Sequence, residues 1–305
     1  LRRLMLQQIH TPAGQFTTRS FIVNVRTPGI PGGGRVRLKP RERTTEWRDW
    51  DDQLTLEFDG ARPRLRSLEI EPAAVPTLFI LGDSTVCDQP AEPWASWGQM
   101  LPRFFKPDLA VANHAESGET LADSLARGRF DKVFSLMQPG DWLFIQFAHN
   151  DMKDKRPDAL AVYESNLRKV IAQTRAYGGT PVLVTSMERK ASVGHPTLAG
   201  YPDAMRAVAR ETHCALIDLN AMSLEFYRAL GTNLDKAFVD GTHHDNYGSY
   251  ELAKCIAAGI QQDRLPLARF IVDDFTNFDP AHPDPVKAFR LPASPNRSLL
   301  KPPGN

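Results

Sequence analysis

Cysteine and long hydrophobic runs are both scarce in this sequence of 305 residues. Its three cysteines, at positions 87, 214 and 255, include no pair in the Cys-x-x-Cys spacing that zinc sites and redox motifs use. The apolar runs, such as the one at 75–81, fall far short of the roughly 20 residues of a membrane-spanning helix. The sequence therefore predicts no zinc or redox centre and no transmembrane segment, and it shows no signal peptide.

The sequence also lacks an excess of either charge. Lysine and arginine together number 37 against 36 acidic residues, a net charge of +1. Nucleic acids and anionic membranes are bound by strongly basic surfaces, so we expect neither as a partner. Hydrophobic residues make up 42% of the chain, which excludes wholesale disorder, and proline is abundant at 24 residues.

The first region, residues 1–73, carries the pattern of β-structure. Strand candidates lie at 21–25 and 35–38, and apolar residues alternate with polar ones at 54–58 and 68–70. The region is shorter than the roughly 100 residues of a complete β-sandwich. We therefore interpret it as a β-rich segment, with a truncated galactose-binding-like sandwich as the hypothesis.

The second region, residues 74–265, alternates short apolar segments with longer helical ones. This alternation is typical of an α/β domain with a parallel sheet. The predicted strands are 77–81, 109–113, 142–147, 181–186 and 215–218, and the predicted helices are 94–105, 119–136, 158–177, 201–212 and 248–262.

The third region, residues 266–305, holds 8 of the 24 prolines. Proline lacks a backbone N–H and breaks helices. We predict an irregular C-terminal tail that lies over the surface.

Polar residues follow several of the predicted strands at the point where each strand ends. In open α/β sheets, ligands bind at these carboxyl ends. A hydroxyl, a glycine N–H, an amide, a carboxylate and an imidazole would meet there, which is the set that acyl transfer requires. The segments are Gly-Asp-Ser-Thr at 82–85, Asn-His-Ala-Glu-Ser-Gly at 113–118, His-Asn-Asp at 149–151 and Asp-Gly-Thr-His at 240–243.

These four motifs resemble those of the SGNH (GDSL) hydrolase superfamily, and most of all its rhamnogalacturonan acetylesterases. The Gly-x-Ser-x-Gly elbow of the α/β-hydrolases is absent. The resemblance covers roughly 76–262 and implies a three-layer α/β/α fold with a five-stranded, flavodoxin-like parallel sheet. It departs at Ala148, where the family usually has glycine. It implies no metal or organic cofactor and a secreted or periplasmic location.

The resemblance assigns a role to each motif residue. Ser84 matches the nucleophile, His243 the base and Asp240 the acid that orients it. The backbone N–H groups of Ser84 and Gly118 and the side-chain amide of Asn150 match the oxyanion hole. The chemistry agrees, because a serine hydroxyl needs a base at neutral pH and the developing oxyanion needs fixed donors.

Three further residues are candidates for substrate binding: Trp94, His149 and His244. Trp94 is either a sugar-stacking platform or a packed helix residue. His149 is expected to support the site through hydrogen bonds. His244 is the rival base, or it lines the cleft. Asp240, His243, His244 and Asp245 also resemble a metal-ligand cluster, a reading that the serine motifs disfavour.

The sequence thus predicts a serine carbohydrate esterase that removes O-acetyl groups from an acetylated plant cell-wall polysaccharide or oligosaccharide. Rhamnogalacturonan is the favoured substrate. Three alternatives stay open. They are an acetylxylan or other short-chain esterase, a lipid esterase or thioesterase of the same fold, and a carbohydrate-binding protein with an inactive esterase domain. The oligomeric state is not predicted.

Overall fold

A computed structural model describes residues 3–301 and shows a parallel sheet of five strands. The strands are β1 (Thr77–Gly82), β2 (Ala110–Asn113), β3 (Trp142–Gln146), β4 (Thr180–Val184) and β5 (Ala215–Ile217), in the order β2-β1-β3-β4-β5. The predicted five-stranded parallel sheet is confirmed, with shifts at the strand ends of one or two residues. From β1 the chain adds β2 on one side of the sheet and then β3, β4 and β5 on the other side. The strand order therefore reverses between β1 and β3, and doubly wound sheets bind ligands at such a point.

Helices cover both faces of the sheet. They are α1 (Trp97–Met100), α2 (Leu121–Ala126), α3 (Arg129–Leu136), α4 (Ala159–Ala176), α5 (Tyr201–Thr212), α6 (Leu219–Leu230) and α7 (Asn246–Gln262). Because side chains alternate along a strand, Leu78 and Ile80 of β1 enter the core under α1, α6 and α7, while Phe79 and Leu81 enter the core under α2 to α5. The result is the three-layer α/β/α arrangement.

Three helices differ from the sequence-based expectation. The helix predicted at 119–136 is divided into α2 and α3 at Gly128, which has a φ of 75° that a helix interior does not accommodate. The helix predicted at 94–105 is limited to α1 and a 3₁₀ turn, Leu101–Phe104. The expectation missed α6, although Asp218 caps it by accepting a hydrogen bond from Ala221 N–H.

The N-terminal region corrects a prediction. Residues 3–73 contain no strand; their regular structure is two 3₁₀ turns, Arg41–Arg43 and Trp47–Asp49, and one isolated bridge between Gly29 and Arg35. The β-rich, galactose-binding-like interpretation is wrong for these residues. A strand needs a partner, and the alternating apolar stretch that includes Ile70 is exposed instead of packed into a sheet face.

The C-terminal region is irregular, as predicted. The region begins with a 3₁₀ turn at Pro266–Phe270. Further along, the side chains of Phe275 and Phe289 pack against the core beside α7. The last described stretch then runs next to residue 92, whose N–H donates to the Asn296 carbonyl and whose carbonyl accepts from Ser298 N–H. Among residues 3–301, no helix combines the length and the hydropathy that crossing a membrane requires.

Candidate active site

Ser84 lies in a tight turn directly after β1. The turn folds back on the strand because Gly82 has no side chain: a Cβ there would lie 2.6 Å from Val86 Cγ2 and 2.7 Å from the Gln146 carbonyl oxygen. Asp83 closes the turn, since its Oδ1 accepts hydrogen bonds from Thr85 N–H at 2.9 Å and Thr85 Oγ1 at 2.8 Å. The Ser84 hydroxyl is thereby held at the carboxyl end of β1.

His243 and Asp240 reach Ser84 from the loop that precedes α7. Ser84 Oγ lies 3.0 Å from His243 Nε2, and His243 Nδ1 lies 2.9 Å from Asp240 Oδ2. The carboxylate also accepts hydrogen bonds from the backbone N–H groups of Thr242 and His243, each at 2.7 Å. The hydroxyl, the imidazole and the carboxylate form one continuous chain of hydrogen bonds.

The charge on Asp240 is stabilised within this chain. Partial burial would raise its pKa, but the hydrogen bonds from the His243 side chain and from the backbone outweigh burial and hold the pKa well below its ordinary value. Asp240 is therefore ionised at any pH near neutrality. An ionised carboxylate fixes the imidazole with its Nδ1 proton toward Asp240 and its Nε2 free to accept the Ser84 proton.

Asn150 and the loop carrying Gly118 lie beside the serine. Gly118 has a φ of 69°, which glycine adopts readily. The Asn150 amide donates one N–H to the Glu119 carbonyl at 3.0 Å, and its Oδ1 accepts from Lys153 Nζ at 2.7 Å. This pair of bonds sets the orientation of the amide, and its second N–H has no acceptor among the described residues.

His149 lies beneath the serine turn. Its Nδ1 is 3.4 Å from Asp83 Oδ2, and both side chains are buried. Burial would raise the pKa of Asp83, but His149 and the hydrogen bonds from Thr85 outweigh burial and lower it. His149 thus contacts the turn that carries Ser84, but neither ring nitrogen has a hydrogen-bond partner among residues 3–301, and the ring has no open face toward a substrate.

His244 points away from Ser84. Its Nε2 lies 2.8 Å from the Tyr227 hydroxyl, and its ring packs on Phe238 with a centroid distance of 4.2 Å. Burial, together with the charge of His243, lowers its pKa to about 3, so it is neutral. The structure therefore contradicts both readings of His244, as a base and as a cleft residue. The spacing in Asp-x-x-His selects His243.

Trp94 lies at the site but is 4% exposed. Its ring meets His243 edge-on at a centroid distance of 5.6 Å, and its Nε1 donates to the Ser298 carbonyl at 3.0 Å. The indole is therefore buried, with its N–H edge against the C-terminal region, and no ring face is open for a sugar to stack on. Trp94 precedes α1 and packs against His243, so it is neither a sugar-stacking platform nor a packed helix residue.

The residues that resembled a metal cluster do not converge. His244 faces Tyr227, and Asp245 caps α7 by accepting from Gly248 N–H at 2.9 Å. Within residues 3–301, no group of three or more metal-binding side chains is placed to hold an ion. Cys87 is buried, and burial raises the pKa of its thiol well above the ordinary value, so it is no second nucleophile.

Sequence reasoning missed the cations around the site. Lys153 contacts Asn150, and Lys301 Nζ lies 3.3 Å from Asp240 Oδ2. Arg189 donates to the His149 carbonyl at 3.1 Å. Lys39 and Arg41 come from the N-terminal region and bind the loop of Gly118. These residues belong to no recognisable motif, so no signal in the sequence pointed to them.

The comparisons with known proteins agree with this geometry. The model of the GDSL-like lipase/acylhydrolase family matches residues 80–249, which hold Ser84, Gly118, Asn150, Asp240 and His243. The chain belongs to this family. It is therefore an ester hydrolase, and the predicted SGNH resemblance is confirmed. At the position where the family pattern has glycine, Ala148 is buried and avoids a positive φ, so its methyl group is accommodated.

Two relatives and one structure are similar to this hydrolase. Rhamnogalacturonan acetylesterase RhgT of Bacillus subtilis (strain 168) is 34% identical over 218 residues, which are 64% of this chain and 94% of RhgT. The probable rhamnogalacturonan acetylesterase YesY of the same strain is 30% identical, over 65% of this chain and 98% of YesY. The crystal structure of YxiM from Bacillus subtilis matches with a TM-score of 0.58 and 27% identity, covering 66% of this chain and 60% of that one.

Proposed function

We propose that this hydrolase is a serine carbohydrate esterase that removes O-acetyl groups from a plant cell-wall polysaccharide, with rhamnogalacturonan as the substrate. The observation that carries the proposal is the hydrogen-bonded chain from Ser84 through His243 to Asp240. The two relatives that are named rhamnogalacturonan acetylesterases support the substrate. A polymeric substrate of this kind is extracellular, and we propose a secreted or periplasmic location for that reason.

The first half of the reaction acylates the serine. Ser84 Oγ forms a bond to the acetyl carbonyl carbon while its proton passes to His243 Nε2, and the carbonyl π electrons move onto the oxygen. The resulting oxyanion accepts hydrogen bonds from Ser84 N–H, Gly118 N–H and Asn150 Nδ2. Asp240 stabilises the imidazolium that forms and does not take the proton itself. The oxyanion then collapses, the bond to the sugar oxygen breaks, and His243 returns the proton to that oxygen.

The second half releases acetate. A water molecule gives a proton to His243 Nε2 as its oxygen attacks the acetyl carbon, and the same three donors hold the second oxyanion. When this oxyanion collapses, the bond to Ser84 Oγ breaks and the proton returns from His243 to the serine. The enzyme is restored, and the products are the free sugar hydroxyl and acetic acid.

The cations around the site favour a polysaccharide that carries carboxylates. Partial burial lowers the pKa of Lys153, and the charges of Arg189 and Lys301 lower it further against the opposing charge of Asp83, so Lys153 lies within electrostatic reach of both other cations. An anionic group placed among them would relieve this repulsion. Rhamnogalacturonan contains galacturonate, whereas the backbone of xylan is neutral.

The central experiment measures acetate release from acetylated rhamnogalacturonan, homogalacturonan, xylan and mannan. We expect the highest kcat/KM on rhamnogalacturonan, and we expect Ser84→Ala to lower kcat by a factor on the order of 10⁴–10⁶ with an unchanged thermal midpoint. Ser135→Ala, which removes a hydroxyl from α3, is the matched control. Full acetate release by Ser84→Ala would refute the mechanism, and binding of polysaccharide without turnover would support a binding protein instead.

A second experiment tests the role of the cations. Arg189→Gln should raise KM for acetylated rhamnogalacturonan by about tenfold, the effect of one charge-assisted hydrogen bond, and leave KM for acetylxylan unchanged. An equal effect on both substrates would contradict recognition of a carboxylate. Nitrophenyl esters test the remaining alternative, because a preference for acyl chains of eight carbons or more would contradict an acetylesterase.

A further inference from the structure

Two cations from the N-terminal region bind the same backbone carbonyl at the candidate active site. Lys39 Nζ donates to the Ser117 carbonyl oxygen at 2.7 Å, and Arg41 Nη2 donates to the same oxygen. Ser117 is 1% exposed, so little water competes for this oxygen. Both cations precede the residues that the family model matches, which begin at residue 80.

This carbonyl belongs to the peptide unit that supplies the Gly118 N–H. In a planar trans peptide, the C=O and the following N–H point in opposite directions. Two donors that hold the Ser117 carbonyl on one side therefore aim the Gly118 N–H toward the other side. Glycine tolerates many backbone angles, so this peptide plane needs contacts of this kind to stay in one orientation.

Two other contacts of the loop join it to the Ser84 turn and to Asn150. Ser117 Oγ is 3.2 Å from Cys87 Sγ and 3.4 Å from Gln89 Nε2, which also donates to the Ser84 carbonyl at 2.8 Å. On the far side of Gly118, the Glu119 carbonyl accepts from Asn150. Gly118 thus sits between the Ser84 turn and Asn150, with the two cations behind it.

Buried carboxylates hold the cations in place. Arg41 Nε donates to Glu116 Oε1 at 2.6 Å, and Lys39 Nζ lies 2.7 Å from Glu119 Oε1. Burial would lower the pKa of Arg41, but Glu116 and Glu46 outweigh burial and raise it, so Arg41 keeps its charge. A cation on a peptide oxygen also polarises that peptide, which strengthens its N–H as a donor to a developing negative charge.

We infer that Lys39 and Arg41 are positioning residues of the oxyanion hole, which act by fixing and polarising the Ser117–Gly118 peptide. This inference rests on the proposed function, in which Gly118 N–H stabilises the oxyanion. The N-terminal region of this chain then contributes to the rate of deacetylation without touching the substrate.

The test uses Lys39→Met, because Arg41→Met would leave two buried glutamates without their cation. Arg127→Met is the matched control, since Arg127 Nε also pairs with Glu119 Oε1, at 3.2 Å, but does not contact the Ser117 carbonyl. Three quantities are measured in the full chain: kcat and KM for nitrophenyl acetate, and the inhibition constant of methylboronic acid. The boronic acid forms a tetrahedral adduct with a nucleophilic serine and so reports on the oxyanion hole.

We expect Lys39→Met to lower kcat about tenfold, which is less than the 10²–10³ that follows loss of a whole oxyanion donor. The inhibition constant of methylboronic acid should rise by a similar factor. KM should stay within about twofold, and Lys39→Arg should restore most of both losses. Arg127→Met should match the unmodified protein in all three quantities.

Two results would overturn the inference: unchanged kcat and inhibition in Lys39→Met, or equal losses in Arg127→Met, which would mean that the loop merely needs an ion pair at Glu119. The proposed function fails separately. If Ser84→Ala binds methylboronic acid as well as the unmodified protein, the nucleophile is wrong, whatever Lys39→Met does.

Discussion

Asp151 shows how much of this site depends on the surroundings of single residues. It follows Asn150 in sequence, but its carboxyl group faces α2, where Oδ1 accepts from Leu121 N–H at 2.9 Å. Its Oδ2 has no hydrogen-bond donor among residues 3–301. Burial, with a smaller effect of Asp83, raises its pKa from 3.8 to about 7. The folded protein therefore holds a proton on Asp151 that the unfolded chain releases.

We predict that Asp151→Asn changes stability by an amount that depends on pH. Below pH 3.8 this carboxyl is protonated in both the folded and the unfolded state of the unmodified protein, so the variant has no advantage in stability. Between pH 3.8 and about 7 the unfolded state alone ionises, so the unmodified protein loses stability as pH rises, by at most about 4 kcal/mol, while the variant does not.

Thermal unfolding at pH 4 and pH 8 measures this difference. The midpoint of Asp151→Asn relative to the unmodified protein should be higher at pH 8 than at pH 4. Asp158→Asn, at an exposed position, should show the same relative midpoint at both values. A constant difference for Asp151→Asn would contradict the protonated carboxyl.

At the scale of elements, α1 sets the position of the serine turn through a close approach. Gly98 of α1 lies against the Val86 carbonyl at the end of this turn, and a Cβ on Gly98 would collide with that oxygen. Ser96 and Asn113 donate to the same carbonyl, at 2.9 Å and 2.7 Å. The helix, β2 and the turn are thus held together around one backbone oxygen.

We predict that Gly98→Ala destabilises the protein by about 1–3 kcal/mol, because the colliding atom is backbone and a packed helix must move to relieve it. The shift should also lower kcat, since the turn that carries Ser84 moves with Val86. Urea unfolding and nitrophenyl acetate turnover measure the two effects. Gly194→Ala is the control and should leave stability unchanged, because the nearest atom to a Cβ there would be 3.9 Å away and the φ of Gly194 is −97°. If Gly98→Ala also left stability unchanged, α1 could move without cost and the prediction would be wrong.

At the scale of the whole molecule, buried charges join the N-terminal region to the α/β layers. Glu42 accepts hydrogen bonds from Arg129 Nη1 and Nη2 of α3, at 3.0 Å and 2.7 Å, and from Trp50 Nε1 at 2.7 Å. Both charged side chains of the pair are fully buried. Burial would raise the pKa of Glu42, but Arg129 outweighs burial and lowers it to about 2. Such a pair is costly to separate.

We predict that Glu42→Gln lowers the free energy of unfolding by about 3 kcal/mol at pH 7, because it removes the carboxylate that accepts both hydrogen bonds from the buried Arg129 guanidinium and leaves Glu119, 3.6 Å from Arg129 Nε, as the remaining ion-pair partner. A carboxylate with a lowered pKa stabilises the fold above its unfolded value of 4.5 and loses that effect as pH falls toward 2. The deficit of the variant should therefore shrink between pH 5 and pH 3. Chemical unfolding at both values tests this, with the exposed Glu69→Gln as the control that stays within about 0.5 kcal/mol.

The sequence by itself determined the central sheet and the motifs that hold Ser84, Asp240 and His243. Buried parallel strands are continuous apolar runs, so their positions could be located to within one or two residues. Ser84 directly follows a strand, and Asp240 and His243 lie three residues apart in one loop, so these local motifs and their resemblance to a known family could be recognised from the sequence. Where a signal was local, as at these motifs, prediction and structure agree.

The tertiary structure alone decided what surrounds those residues. Alternating apolar residues at 54–58 and 68–70 predicted strands, but a strand forms only when another strand accepts its hydrogen bonds, and none of the described residues does so there. Lys39 is 78 residues from Ser117 in sequence, and Lys301 is 61 residues from Asp240, so no spacing could have paired them. Charged residues of this kind come together only when the chain has folded, because only then do distant parts of the chain lie within range of each other's charge.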